Sequence, residues 1–189
     1  MVVGDANRIK GSSNAVQGNQ NVLIGDQNAV LGNQNGVQGQ GNALKGSTNV
    51  VVGNGNSLQG GENKVQGSSN SISGSKNSLQ GTSNTIIGSS NLLSGQQNHL
   101  FGDSNKVQGS TNCIDGNGNV VQGDKNCVTG DVNTIAGSRN GVVGDGNTVK
   151  GDLNSARGDS NYINGDQNTV KGSNNIVISD GWTLSRLGF

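Results

Sequence analysis

The chain has no proline and almost no aromatic residues: one Trp, one Tyr and two Phe among 189 residues. A core built on large aromatic anchors is therefore excluded. Hydrophobic residues make up 29% of the chain, well below the roughly 45–50% of average domains. The one histidine, His99, and the two cysteines, Cys113 and Cys127, are too few for a catalytic constellation or a disulfide scaffold. Formal net charge is zero, which leaves no electrostatic footprint for nucleic acid or an anionic membrane. No apolar run approaches the roughly 18 residues of a membrane span. No signal peptide is visible. Met1-Val2-Val3 already lies in the register described next, as though the N-terminus were trimmed or cut from something longer.

What the chain does have is a period. Gly is 34 of 189 residues, and such a composition alone would read as disordered. Its placement argues otherwise. From Gly4 to Ile178 the unit Gly-x-x-Asn-x-aliphatic-x repeats 25 times without insertion or deletion, as in Gly81-Thr82-Ser83-Asn84-Thr85-Ile86-Ile87. Gly and Asn are invariant, and the sixth position is Val, Ile or Leu in 24 units, Ala156 being the exception. A fixed short period signals a repeat architecture.

Asn84, Ile86 and Gly88 are spaced two apart, so they share one face of an extended strand, while Thr85 and Ile87 face the other way. A coiled coil is excluded: each heptad has one aliphatic in phase, and a Gly every second turn would cost about 1 kcal/mol each in a helix. The two residues after Gly are mostly Ser, Asp, Asn, Gln, Gly and Lys, which is turn chemistry. A strand followed by a corner, repeated in phase, winds into a solenoid whose like residues stack at roughly 4.8 Å. Stacked Asn side chains, among them Asn77, Asn84, Asn91 and Asn98, are then expected to form amide ladders that also bond the corner backbone.

Two heptads per coil would give two sheets, and three would give three. The outward residue before the aliphatic, sorted by alternate heptads, reads Ala15, Ala29, Ala43, Ser57, Ser71, Thr85, His99, Cys113, Cys127, Gly141, Ser155, Thr169: all small except His99. The other set holds Arg8, Val22, Val50, Lys64, Leu92, Lys106, Val120, Tyr162 and Ile176. Gln17, Gln38, Gln59 and Gln80 recur at 21 residues, which we read as duplication history. The expected fold is all-β: a two-sheet parallel β-solenoid, or β-roll, of 14-residue coils over residues 1–178. Residues 179–189 form a C-terminal cap in which Trp182, Leu184, Leu187 and Phe189 cover the open end of the stack; a docking tail for a partner is the alternative.

No residue set reads as enzymatic, and no cofactor is expected. His99 lies on an outward strand position beside Phe101 and reads as an ordinary surface residue. Cys113 and Cys127 stack on adjacent coils, where parallel strands are poorly placed for a disulfide, so two free thiols are expected. Asp131, Asp145 and Asp159 stack at one corner, where a hard cation would relieve their repulsion, but Asp is also an ordinary turn residue; no metal site is assigned. Gly116-Asn117-Gly118 lies in a corner with no following helix, which excludes a phosphate loop.

Gly-Ser-Ser-Asn-Ala-Val-Gln (11–17), Gly-Asp-Gly-Asn-Thr-Val-Lys (144–150) and Gly-Asp-Gln-Asn-Thr-Val-Lys (165–171) resemble the x-x-Asn-x-Val-x-Gly repeat of grass ice-recrystallisation-inhibition (antifreeze) proteins. The resemblance covers residues 4–178. It implies a left-handed β-roll with internal Asn ladders and a flat ice-binding sheet, monomeric and secreted into the apoplast, in a freeze-tolerance role. Carried onto this chain, the ice face comprises Ala15, Ala29, Ala43, Ser57, Ser71, Ser73, Thr85, Thr129, Ser155 and Thr169, with ice as the partner and neither nucleic acid nor membrane. The second outward column of that sheet holds Lys45, Phe101, Asp115 and Arg157. The repeat also resembles the Gly-x-x-Ser-x-Ala-x heptads in heads of trimeric autotransporter adhesins. That alternative implies a trimeric bacterial surface adhesin; an unassigned structural β-solenoid is a further one.

Overall fold

The computed structural model describes residues 1–185. Leu187 and Phe189, two of the four residues assigned to the cap, lie outside the described residues. The chain divides into two units, Met1–Gln96 and Gln97–Phe189, which share one construction and are described separately. Among the described residues all regular structure is β-strand, and no helix is long and apolar enough to cross a membrane.

Each heptad makes one strand, usually of three residues, such as Ser71–Ser73 or Thr85–Ile87. Within each unit alternate strands pair in parallel, so a strand residue lies opposite the one 14 positions on: Ser71 with Thr85, Ile72 with Ile86, Ser73 with Ile87. Counting Val2–Val3 as the first strand and Arg8–Lys10 as the second, one sheet of each unit is built from the odd-numbered strands in chain order, Ala15–Gln17 and Thr85–Ile87 among them, and the other from the even-numbered strands. The coil is thus two heptads, as the alternation of small and bulky outward residues anticipates. The 21-residue recurrence of Gln has no structural counterpart, because Gln17 pairs with Leu31 rather than with Gln38.

Burial follows the heptad. The sixth-position aliphatics from Val16 to Val177 are all buried, Ala156 included. Each fully buried Val, Leu or Ile contributes roughly 1.5–3 kcal/mol. The fourth-position Asn residues from Asn14 to Asn175 are buried as well, which would be costly for unpaired amides. They are fully paired. In the first unit the Asn84 backbone N–H and Nδ2 both donate to Asn70 Oδ1, at 3.0 and 3.1 Å, and Nδ2 donates again to the Gly95 carbonyl at 2.9 Å. Asn77 and Asn91 belong to a second ladder of the same form beside the even-numbered sheet. In the second unit Asn98 donates to the Gly109 carbonyl, and its Oδ1 accepts from Asn112. Among the described residues no buried side-chain N or O lacks a partner.

The corner explains the invariant glycine. At Gly81 φ is +146°, and an added Cβ would lie 1.7 Å from the Gly95 carbonyl oxygen of the next coil. No side chain fits there. The third heptad position is also left-handed but points into open solvent, so it admits Ser, Gln, Lys and even Val132 at φ 59°.

The last turn of chain keeps the path while losing the consensus. Trp182 occupies the Asn position: its backbone N–H donates to Asn168 Oδ1 at 2.9 Å and its carbonyl accepts from Thr169 N–H at 2.6 Å. Thr183–Ser185 then forms a strand paired with Thr169–Lys171, which brings Leu184 opposite Val170. The Trp182 side chain itself is 56% exposed.

Candidate functional site

Within each unit outward side chains stand in rows, because the register does not slip. On the odd-numbered strands of the first unit, Ala15, Ala29, Ala43, Ser57, Ser71 and Thr85 follow one another in a single row. All are exposed except Thr85, which is half-buried. Hydrogen bonding between strands holds the row at roughly 4.8 Å per coil. Ser73 lies in the companion row on the same face, between Gln59 and Ile87. In the second unit, Ser155 and Thr169 are neighbours in the first row, next to Gly141. Thr129 stands in the companion row between Asp115 and Val143.

The two rows differ in height. In the first unit the short row forms the floor of a trough of about 420 Å³, with Ala15, Ala29, Ala43 and Ser57 at the bottom and Gln17, Leu31, Lys45 and Gln59 along its side. In the second unit the companion row carries Phe101, Asp115 and Arg157. The odd-numbered face thus offers a line of small side chains beside a taller, chemically mixed line.

The even-numbered face of the first unit is different. Val22 and Val50 flank Gly36 in one row, and Ile24 and Val52 flank Gln38 in the other. All four aliphatics are exposed. The sequence gives them away only as bulky residues at outward positions. That they share one face, around Gly36 and Gln38, follows from the 14-residue register.

The stacked aspartates serve the corner. Asp131 Oδ1 accepts the Asn117 backbone N–H at 2.7 Å, Asp145 Oδ1 accepts that of Asp131 at 2.7 Å, and Asp159 Oδ1 accepts that of Asp145 at 2.9 Å. The same bond recurs with Asn and Ser at this heptad position, as in Asn19 Oδ1 with Asp5 N–H and Ser47 Oγ with Asn33 N–H. This external ladder was hidden in the turn composition. Its signal was present as the run of short polar acceptors directly after each glycine. Among the described residues no group of three or more His, Cys, Asp or Glu side chains is placed to share a metal ion. His99 is an outward residue in register with Cys113.

Comparison with known proteins agrees with the repeat. Residues 2–95 and 88–181 each match the family described as grass antifreeze beta roll. A search of curated proteins returns no match. Among solved structures, the polySia specific acetyltransferase NeuO aligns over 96% of this chain and 78% of that chain, at 10% identity and a TM-score of 0.16. A likeness that weak carries no argument about this protein. The family match spans nearly every heptad, and its beta roll is the architecture that the paired coils and Asn ladders build; the chain belongs to the grass antifreeze beta roll family.

Proposed function

We propose that this protein binds ice and inhibits its recrystallisation through the outward face of its odd-numbered strands. The observation that carries this reading is the unbroken row Ala15, Ala29, Ala43, Ser57, Ser71, Thr85 on that face, in a chain of the antifreeze family. Ser73, Thr129, Ser155 and Thr169 extend the same face within their own units. Small side chains at a fixed spacing on a rigid sheet can lie close to ordered water without displacing it, and methyl and hydroxyl groups suit a surface that is partly apolar and partly hydrogen-bonding. The binding is to an array, so it needs no pocket, no cofactor and no catalytic group. In this reading the protein works as a single chain in the extracellular space, where ice first forms, with ice as its partner.

The test places the same ring on each face. Thr85 and Ser78 are both half-buried outward residues, one heptad apart, on opposite sheets. Thr85→Tyr is expected to raise several-fold the concentration needed to restrain ice-grain growth, and Ser78→Tyr to leave it unchanged, with equal melting temperatures. Reversed sensitivity would move the ice contact to the even-numbered face, with its Val22, Ile24, Val50, Val52 patch. Wild-type protein that leaves ice-grain growth unrestrained would end the ice reading, and a trimer in solution would then favour the adhesin-like alternative.

A further inference from the structure

Cys113 and Cys127 carry chemistry that ice contact does not use. Register sets them directly opposite each other on the adjacent strands Cys113–Asp115 and Cys127–Thr129. Both thiols are free and exposed. Each backbone is held by its own neighbour, Cys113 N–H by the Asn126 carbonyl and Cys127 N–H by the Asn140 carbonyl, both at 2.8 Å. The separation of the two strands is therefore not free to change.

That fixed separation discriminates between two uses of a thiol pair. A disulfide wants Cβ atoms about 3.5–4.5 Å apart, closer than in-register strands at roughly 4.7–4.9 Å provide. A thiolate–metal bond is roughly 2.3 Å in the zinc case, so two sulfurs on opposite sides of one ion lie several ångströms apart, a span that side chains leaving strands roughly 4.7–4.9 Å apart can reach. Thiolates select soft metals, and two ligands in line suit an ion that accepts two-coordination.

We propose that Cys113 and Cys127 form a two-coordinate site for a soft monovalent cation of the copper(I) class, bridging adjacent coils of the odd-numbered sheet. Binding forms two S–metal bonds and releases two thiol protons to solvent; no electron is transferred. Affinity falls as pH falls, because protons compete for the same sulfurs.

The experiment uses the full reduced chain, with copper(I) supplied anaerobically against a colorimetric copper(I) chelator and the product weighed by native mass spectrometry. One ion per chain is expected, with the thiolate-to-copper absorption band and a higher melting temperature than the empty protein. C113S and C127S should each lose about 100-fold in affinity, the usual gain from holding two ligands together. H99A should bind as wild type does. Ser replaces Cys at an outward position, so the melting temperatures of the empty variants will confirm that they fold. Equal affinity of wild type and C127S would overturn the site, as would recovery of the pair as a disulfide, lighter by two hydrogens and refractory to copper. A loss in H99A as large as in C127S would overturn the two-coordinate assignment. Ice-grain growth is not a readout here, so the site and the ice reading stand or fall separately.

Discussion

The interior and the outward rows of this protein obey opposite rules. Inside, Asn and a buried aliphatic recur coil after coil, with Ala156 the one such residue smaller than Val. Outside, the residue opposite Ala43 is Ser57, the one opposite His99 is Cys113, and the one opposite Phe101 is Asp115. The difference arises from what each environment charges for a change. An interior Asn such as Asn84 is tied on both sides, by two hydrogen bonds to Asn70 on the coil before and one to Gly95 on the coil after. An outward side chain answers to solvent. Stability should therefore follow the interior and activity the outward rows, and substitutions can separate the two.

The largest effect is expected at the corner. Gly81→Ala puts a methyl group where the Gly95 carbonyl already lies and forces the coils apart. We expect a loss of about 3 kcal/mol or more, read as a lower urea midpoint. A melt unchanged from wild type would break the account of the invariant glycine. Asn84→Ala comes next, at about 1–3 kcal/mol, because it removes the amide that donates to the Gly95 carbonyl and to Asn70 Oδ1. Its ice-grain activity per folded molecule should stay at the wild-type level. A thermal melt within error of wild type would show that the ladder is decoration.

Val132→Gly should act in the opposite direction. Val132 is β-branched, left-handed at φ 59° and 68% exposed, a conformation costing roughly 1–2 kcal/mol. Part of the relief is offset by the greater freedom of glycine in the unfolded chain. A gain of about 0.5–1 kcal/mol is expected from the urea midpoint; a loss would mean that the Val132 side chain packs on its neighbours. A smaller effect still is expected at Ala156, which brings less apolar surface to its coil than Val142 and Val170 on either side. Amide exchange of Ser155–Arg157 should be faster than that of Thr85–Ile87, and equal protection would refute it. Last in stability is Thr85→Tyr, which should leave the melting temperature unchanged while lowering activity.

Much of this was legible in the sequence because a perfect period leaves few ways to fold. Asn84, Ile86 and Gly88 at a spacing of two could only be one strand face, and the alternation of small and bulky outward residues fixed two heptads per coil. The small row Ala15 to Thr85 was legible for the same reason. Other features were not. The trough over Ala15, Ala29, Ala43 and Ser57 depends on the height of Leu31 and Lys45 standing beside it. The patch of Val22, Ile24, Val50 and Val52 appears only when register brings both outward rows together. The corner ladder through Asp131, Asp145 and Asp159 looked like stacked like charges, because a sequence does not say that each carboxylate faces a backbone N–H.

What the sequence determined by itself was the period, and with it the strand, the inward and outward sets, and the length of the coil. These follow from alternation along a strand and from the cost of burying an unpaired amide. What the tertiary structure decided was every relation between coils. It placed the Gly95 oxygen where a Gly81 side chain would go, gave Trp182 the backbone role of an asparagine at the end of its ladder, and set Cys113 and Cys127 one strand spacing apart. Such relations depend on distances across hydrogen-bonded strands, and those distances exist only once the chain has wound back upon itself.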